Sequence, residues 1–494
     1  MATRPNILLV TVDQQRHDTC GPMQPPFLRT PHFDALCTRG IRFSSAYTAC
    51  PTCVPARISM LTGRSTFAGR GGILSRQPTV RPDEVTMPGV LGGLGYQTAL
   101  IGKFHVGQAQ VRYGFDEITT PDVYYRQMER SGHPLQPMRH GLGQNELVPG
   151  MSTVPEALTL TSWIAERCVD FIRYRRDPST PFFLWCSFPK PHPPLDPPEP
   201  YYSMYRNCAI PEPVMGDWAR GENVPHAFAR FARMQGYGRL TPEVIREARS
   251  AYYGLITQND FNMGRILAIL TDLDLLKDTL IVYTSDHGEY LGDHGAGAKS
   301  FFHEPSAHVP LVVCPPRSWQ EQKMLVGTVC PTAVTHIDLM PTFIRAAGGE
   351  PPAPCEGIDL LALASGQIPN PRKYVEGMEA QNQYWFGNFA PCDYLALTDG
   401  RWKYIYYVEA GQEQLFDLQA DPTELHDLAN VPEHAARRQE LRAELTRRQI
   451  ERKTDAVKDG NLVAVKPLEV DDRVVRSMSW MGWHSEVAIG DIRH

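Results

Sequence analysis

Short, continuous apolar segments recur along the first two thirds of the chain. They are rich in branched or aromatic residues, and their apolar positions are consecutive rather than alternating. This pattern is typical of strands that are buried on both faces, as in a parallel or mixed sheet covered by helices. We predict such strands at Ile7 to Thr11, Thr98 to Ile101, Phe182 to Ser187, Leu280 to Thr284 and Pro310 to Cys314.

Between these segments, apolar positions recur every three or four residues, which predicts helices. This spacing runs from Leu160 to Ile172. Thr241 followed by Pro242 marks the start of another helix, which extends to Leu270. The alternation of strands and helices predicts an α/β fold with a large mixed, mostly parallel central sheet flanked by helices.

The pattern changes beyond about residue 370. Tyr394 to Thr398 and Trp402 to Tyr407 are short strand-like runs, and the turn sequence Asp399-Gly400 between them predicts a β-hairpin. The same criteria predict a strand at Leu415 to Leu418 and a helix at Val431 to Lys453. We therefore divide the chain into an α/β domain at 1–370 and a smaller α+β domain with an antiparallel sheet at 371–494.

Composition excludes several classes of protein. The chain has 494 residues, of which 42% are hydrophobic and 21% charged, the balance of an ordinary folded protein. Its net charge is −6 with both signs interspersed, which argues against a nucleic-acid partner. The first apolar run is too short for a signal peptide or a membrane span, so we expect a cytoplasmic protein with no membrane partner.

Two sets of apolar and aromatic residues lie outside the strands and helices predicted above. Met478 to Trp483 is apolar and predicts packing on the fold or on a second copy in a homo-oligomer. Aromatic residues in insertions are candidates to line a pocket, and a place in the core or on the surface explains them equally well: Tyr124-Tyr125, Trp218 and Tyr384-Trp385.

Polar side chains follow two of the predicted strands directly. Asp13 and Gln14 follow the first strand, and Asp286 and His287 follow the strand that ends at Thr284. Ligands of open α/β sheets bind at such carboxyl ends, and these residues offer hard oxygens and one imidazole nitrogen to a shared cation. The alternative is that each pair is an ordinary turn.

Two further strands are followed by candidate acid–base residues. Lys103 and His105 follow the second strand; in extended backbone they would project to the same side, where they can hold an anion and exchange a proton. His192 lies in a proline-rich stretch that restricts its backbone. A solvated lysine and hydrogen-bonded loop histidines are the alternative.

The segment Cys53 to Arg57 reads Cys-Val-Pro-Ala-Arg and predicts a helix that Gly63 ends. Cys53 would lie at the helix N-terminus, where free N–H groups attract anions, and Arg57 would face the same side. Three interpretations stay open from these residues: a redox pair with Cys50, a zinc site, or two buried thiols. A zinc site would need a second Cys or His pair at matching spacing, and the sequence contains none.

The same segment resembles the signature of the type I, formylglycine-dependent sulfatases of the alkaline phosphatase superfamily, Cys-x-Pro-x-Arg followed by Leu-Thr-Gly-Arg. Leu61 to Arg64 supplies the second part. The resemblance continues through most of the chain, at Pro5 to Ile7, Gly102 to His105, Pro191-His192, Ser285 to Glu289, Lys299, His336 to Thr342 and Leu415 to Pro422.

This resemblance implies a role for each candidate residue. A separate maturation enzyme would oxidise Cys53 to formylglycine, whose hydrate is the nucleophile. One divalent cation, Ca²⁺ by family likeness, would be bound by Asp13, Gln14, Asp286, His287 and the diol oxygen of residue 53. The other implied catalytic residues surround the transferring group or move protons: Arg57, Lys103, His105, His192 and Lys299.

Two positions depart from the commonest sulfatase pattern. Gln14 stands where a second Asp is usual, and His287 stands where an Asn is usual, so Mn²⁺ and Mg²⁺ stay alternatives to Ca²⁺. The resemblance implies hydrolysis of a small-molecule sulfate ester, either an aryl or a carbohydrate or alkyl sulfate. The alternatives are a phosphonate monoester or phosphodiester hydrolase of the same superfamily, and a non-catalytic binding homologue in which Cys53 stays unconverted.

Overall fold

The computed structural model describes residues 4–65, 80–106, 111–132, 137, 140–143, 145, 147–320, 326–379 and 394–467. Two predicted features lie outside these residues: the pair Tyr384-Trp385 and the segment Met478 to Trp483. Pocket lining by the first and self-association through the second stay predictions.

Eight strands form the central sheet, and two further short strands pair beside it. In chain order they are β1 (Asn6–Asp13), β2 (Ile41–Phe43), β3 (Ala46–Tyr47), β4 (Gln97–Gly102), β5 (Glu117–Thr119), β6 (Phe182–Pro191), β7 (Thr279–Ser285), β8 (Leu311–Cys314), β9 (Thr328–Cys330) and β10 (Val334–Thr335). The sheet order is β5-β4-β6-β1-β7-β8-β2-β9, and β3 pairs with β10. The first five strands in that order are mutually parallel, whereas β8 runs antiparallel to both neighbours.

The five predicted strands are β1, β4, β6, β7 and β8, which confirms them. Alternate residues of β1 enter opposite cores, Ile7 and Leu9 on one face and Leu8 and Val10 on the other. Because helices cover both faces, both sets must be apolar, and the strand is therefore a continuous apolar run. The predicted α/β class with a mixed, mostly parallel sheet is confirmed.

The helices predicted from the three- to four-residue spacing of apolar positions are present. They are α1 (Pro31–Arg39), α2 (Cys53–Thr62), α3 (Met87–Gly93), α4 (Pro121–Arg130), α5 (Leu160–Asp170), α6 (Tyr201–Met204), α7 (His226–Gln235), α8 (Pro242–Asp272), α9 (Glu304–Ala307), α10 (Arg317–Gln320), α11 (Leu339–Ala346), α12 (Leu360–Ala364) and α13 (Ala435–Glu451). A π-helical turn, Phe171–Arg175, continues α5. Among the described residues, no helix combines the length and the apolar character that crossing a bilayer requires.

A separate antiparallel sheet follows, as predicted. Its strands are β11 (Val375–Glu379), β12 (Tyr394–Thr398), β13 (Trp402–Tyr407) and β14 (Glu413–Asp417), paired in that order, and a small hairpin of β15 (Val457–Lys458) and β16 (Asn461–Leu462) lies beyond them. Leu395 of β12 packs in one core with Leu441 of α13, whereas Tyr394 packs in another with Phe301 from the preceding part. The division at 370/371 itself stays a prediction.

A buried ion pair joins this sheet to the preceding part. Lys403 of β13 is fully buried, with Nζ 2.6 Å from Glu304 Oε1 and 2.8 Å from Glu424 Oε1. We expect Lys403→Met to lower the free energy of unfolding by about 3–5 kcal/mol, because it leaves two buried carboxylates without their cation. Chemical denaturation measures this loss beside the control Lys373→Met, whose lysine is 64% exposed. Equal stability of the two variants would contradict the expectation.

Candidate active site

Two acidic residues meet where neighbouring parallel strands end. In the pairing of β1 with β7, Val12 lies opposite Ser285, so Asp13 and Asp286 leave the sheet side by side. Both carboxylates are fully buried. The Gln14 N–H donates to Asp286 Oδ1 at 3.1 Å. The strand order thus brings together two residue pairs that are more than 270 positions apart in the sequence.

Cys53 is the first residue of α2, as the sequence predicts. Its Sγ lies 3.1 Å from His287 Nε2 and 3.7 Å from Asp13 Oδ1. One potential ligand atom from each of Asp13, Cys53, Asp286 and His287 lies within 4.8 Å of the others. We call these four residues the donor cluster.

The end of α2 is fixed as closely as its start. Gly63 has φ of 61°, a left-handed conformation that ends the helix, and its N–H donates to Ser59 O at 3.0 Å. A Cβ at this position would lie 2.8 Å from the Met340 sulfur. Glycine is therefore required both by the backbone and by packing, and the predicted stop at Gly63 is confirmed.

Arg57 lies behind the two carboxylates and orients them. Its Nε donates to Asp286 Oδ2 at 2.9 Å and one terminal nitrogen donates to Asp13 Oδ2 at 3.1 Å. The other terminal nitrogen donates to the Lys103 carbonyl at 2.8 Å and to Ser187 Oγ at 2.9 Å. Since Arg57 holds both Oδ2 atoms, the Oδ1 atoms face the interior of the donor cluster.

His287 turns Nε2 toward the cluster. Its Nδ1 lies 3.0 Å from the Gly288 carbonyl, which only accepts, so Nδ1 carries a proton. Nε2 lies 3.7 Å from both Asp13 Oδ1 and Asp286 Oδ1, and it is the nitrogen that a metal would take in place of a proton. This is the arrangement of a histidine that ligates a metal through Nε2.

Lys103 and His105 both reach Cys53, although not as expected. Lys103 Nζ lies 2.6 Å from Asp13 Oδ2 and 3.8 Å from Cys53 Sγ. His105 has φ of 54°, so the expectation of extended backbone is wrong at this position. Gly102 ends β4 at φ of 113°, where any Cβ would meet the Ser187 carbonyl at 1.9 Å, so this strand end requires glycine.

The charges around Cys53 favour its thiolate. Burial acts to raise the pKa of the Cys53 thiol, but the nearby charges of Lys103, Lys299 and His287 outweigh burial. A hydrogen bond with His105 adds to the same effect. The pKa of Cys53 therefore lies well below its ordinary value.

Lys299 joins two predicted site residues. Its Nζ donates to Gln14 Oε1 at 2.6 Å and to His192 Nε2 at 3.1 Å. His192 Nδ1 donates to the Pro193 carbonyl at 2.7 Å, and burial together with the Lys299 charge lowers the pKa of His192 to about 4. His192 is accordingly neutral near pH 7, and the Gln14 amide oxygen faces Lys299 in this structure.

Two residues that the sequence did not single out hold Gln14. Its side-chain NH₂ donates to Glu289, a buried carboxylate. The main-chain carbonyl of Gln14 accepts a hydrogen bond from the Tyr252 hydroxyl at 2.6 Å. This contact supports the left-handed backbone of Gln14, whose φ is 71°. Glu289 belongs to the Ser-Asp-His-Gly-Glu motif and was within reach of sequence reasoning, whereas Tyr252 lies on α8 without a local signal.

The structure separates Cys50 from Cys53. Cys50 Sγ lies 3.3 Å from Glu379 Oε2, on the side of the antiparallel sheet, whereas Cys53 Sγ faces His287. Both thiols are free. The two cysteines therefore serve different contacts and do not form a redox pair in this structure.

A second group of possible ligands, His17, Glu304 and His308, lies elsewhere in the described part of the chain. The two imidazole rings stack with centroids 3.8 Å apart and an interplanar angle of 8°. An ion bound to both rings would have to lie in both ring planes, and nearly parallel planes do not meet. His308 Nδ1 instead lies 2.6 Å from Glu304 Oε2 as a hydrogen-bonded pair.

Comparison with known proteins places this site in a family. The model of the family described as Sulfatase matches residues 5–349. The chain belongs to the sulfatase family. A second family model, described as N-sulphoglucosamine sulphohydrolase, C-terminal, matches residues 292–451 of this sulfatase. Membership confirms the predicted resemblance and the predicted enzyme class, the sulfuric ester hydrolases.

Individual relatives cover almost the whole of this sulfatase. An arylsulfatase from Clostridium perfringens is 33% identical over 480 residues, which are 93% of this chain and 97% of that protein. A multifunctional alkaline phosphatase superfamily protein from Trinickia caryophylli is 31% identical over 490 residues, 88% of this chain and 93% of that protein.

Among solved structures, a phosphonate monoester hydrolase from Silicibacter pomeroyi superposes with a TM-score of 0.78 at 23% identity, covering 94% of this chain and 100% of that chain. At this level of identity the likeness concerns the fold alone. The roles of individual site residues stay predictions.

Proposed function

We propose that this sulfatase hydrolyses a small-molecule aryl, carbohydrate or alkyl sulfate, using a formylglycine that a separate maturation enzyme forms from Cys53. The observation that carries the proposal is the position of Cys53 at the start of α2, inside the donor cluster and 3.8 Å from Lys103 Nζ. A nucleophile placed there attacks an anion that lysines and a cation hold in place.

The donor chemistry of the cluster fits a divalent cation. Asp13 and Asp286 turn their Oδ1 atoms inward, and His287 turns Nε2 inward, where a cation would take the place of its proton. Together with Gln14 and an oxygen on residue 53, they would hold Ca²⁺ or, given the imidazole, Mn²⁺ or Mg²⁺. The bound cation supplies charge neutralisation of the sulfate oxygens and lowers the pKa of a hydroxyl bound to it.

The hydrated formylglycine supplies one hydroxyl that attacks sulfur and a second that later expels the sulfate. His105, beside residue 53, accepts the proton of the second hydroxyl. The Lys299 ammonium lies beside His192 Nε2 and is the proton donor for the leaving oxygen, while His192 holds the ammonium in position. Lys103 is paired with Asp13 and keeps positive charge next to the reacting group.

We expect kcat/KM on an aryl sulfate to exceed that on the matched aryl phosphonate monoester by about 10–100-fold. Both substrates carry one negative charge, so charge does not separate them. The sulfate offers three free oxygens to the hydrogen-bond donors of the site. The phosphonate replaces one of these oxygens with a carbon group and so leaves a donor unpaired, which costs about 1–3 kcal/mol of binding free energy in the transition state. Initial rates on the two esters measure the ratio.

Two variants accompany this measurement. Lys103→Met removes a hydrogen-bond donor of the site and is expected to lower the ratio of kcat/KM on the sulfate to kcat/KM on the phosphonate. Lys373→Met changes an exposed lysine and is expected to leave this ratio unchanged. A preference for the phosphonate would move the assignment to phosphonate monoester hydrolysis, the activity in the name of the Silicibacter pomeroyi structure. If the protein hydrolyses none of these compounds (the two aryl esters, carbohydrate sulfates and choline sulfate), a non-catalytic binding role is favoured.

A further inference from the structure

Before maturation, the donor cluster contains a sulfur ligand. Cys53 contributes Sγ, His287 contributes Nε2, and Asp13 and Asp286 contribute one carboxylate oxygen each, all within 4.8 Å of one another. Thiolate, imidazole and carboxylate are the three ligand types that Zn²⁺ takes in proteins. Hard ions such as Ca²⁺ prefer oxygen alone, so the sulfur distinguishes the unconverted site from the mature one.

The separations between these donors suit a tetrahedral ion. Zinc bonds of about 2.3 Å to sulfur and about 2.0–2.2 Å to nitrogen and oxygen place neighbouring donors about 3.3–3.6 Å apart. Cys53 Sγ lies 3.7 Å from Asp13 Oδ1 and 3.1 Å from His287 Nε2. His287 Nε2 lies 3.7 Å from both carboxylate Oδ1 atoms. These four separations lie within about half an ångström of the tetrahedral values, and every pair of donor atoms lies within 4.8 Å.

The surroundings already hold these ligands in place. Arg57 binds both Oδ2 atoms, and the Gly288 carbonyl fixes the His287 ring with Nε2 toward the cluster. His287 is fully buried, and its Nε2 faces Cys53 Sγ and the Oδ1 atoms of Asp13 and Asp286. Such outer contacts preorganise metal ligands and raise affinity.

We propose that the chain with unconverted Cys53 binds one Zn²⁺ through Cys53 Sγ, His287 Nε2, Asp13 Oδ1 and Asp286 Oδ1, and that conversion of Cys53 exchanges this site for one that prefers a harder cation. Zinc bonds to the Cys53 thiolate sulfur and to His287 Nε2, any proton on either atom passes to solvent, and no oxidation is involved. The inference rests on the proposed function only in taking Cys53 as the converted residue.

The spacing of the cysteines did not indicate the sulfur ligand of this site. Cys50 and Cys53 have the spacing of a zinc-binding pair, yet Cys50 lies against Glu379. The partners of Cys53 come instead from two strand ends, at positions 13, 286 and 287. Zinc bound here would occupy the Cys53 sulfur and protect it from alkylation.

The test uses full-length protein made without the maturation enzyme, with the intact thiol at residue 53 verified by peptide mass. Zinc content and affinity are measured by elemental analysis and by competition with a chromogenic chelator, and Co²⁺ serves as a spectroscopic probe of sulfur ligation. We expect one zinc per chain, a sulfur-to-cobalt charge-transfer band, and at least about 100-fold weaker zinc binding in Cys53→Ser.

Cys50→Ser is the matched control, since it removes a nearby thiol outside the cluster, and it is expected to keep both zinc and the band. Thermal unfolding of each variant with chelator present separates loss of a ligand from loss of the fold. Equal zinc affinity in Cys53→Ser, or a cobalt complex without the sulfur band, would overturn the proposal. Because no turnover is measured, that result would leave sulfate ester hydrolysis untouched.

Discussion

Cys53→Ala is expected to lower kcat/KM on an aryl sulfate by at least about 10⁴-fold, because the substitution removes the only side chain at the start of α2 from which the nucleophile is formed. In wild-type protein made with a maturation enzyme, peptide mass spectrometry should show an aldehyde at residue 53. Initial rates and the mass of the peptide are measured on the same preparation, so activity can be set against the converted fraction.

Cys50→Ala provides the matched control for this prediction. Its thiol lies 3.3 Å from Glu379 Oε2 rather than in the donor cluster, so the variant should be converted at residue 53 and stay active. A fully active preparation with only intact thiol at residue 53 would contradict the formylglycine mechanism and leave the thiolate as the nucleophile.

Asp286→Ala is expected to abolish stoichiometric metal binding and to lower kcat/KM by at least about 10³-fold. The substitution removes a charged ligand and leaves Arg57 Nε without its 2.9 Å partner, so both the cation and its orienting contact are lost. Elemental analysis of each purified variant beside its rate measures the two effects separately. Thermal unfolding in the presence of chelator shows whether the fold is retained.

Three further variants calibrate this result. Asp18→Asn alters a carboxylate that pairs with Arg16 outside the cluster and should keep metal and activity. Gln14→Ala should weaken binding while sparing part of the activity, since the amide is uncharged. His287→Asn should stay active and shift the preference toward calcium. Full metal occupancy and full activity in Asp286→Ala would mean that these strand ends are ordinary turns.

Local sequence patterns identified the main elements and the reactive positions. Continuous apolar runs predicted β1, β4, β6, β7 and β8 because strands covered on both faces need apolar residues at every position. Pro55 in the first turn of the Cys53 helix and Gly63 after its last residue predicted its start and its end, since each acts on the backbone within one turn. Local rules of this kind need no knowledge of the neighbours.

Which of these positions meet depends on contacts between distant parts of the chain. The order β6-β1-β7 sets Asp13 beside Asp286, and no local signal encodes that order. Long-range contacts also join Arg57 to the carboxylates, Cys50 to Glu379 and Tyr252 to the backbone of Gln14. The close approach of β4 and β6 excludes a side chain at Gly102, and the departure of His105 from extended backbone had no local signal. Such contacts join residues far apart in the chain, and their energies depend on packing and burial that exist only once the sheet has formed.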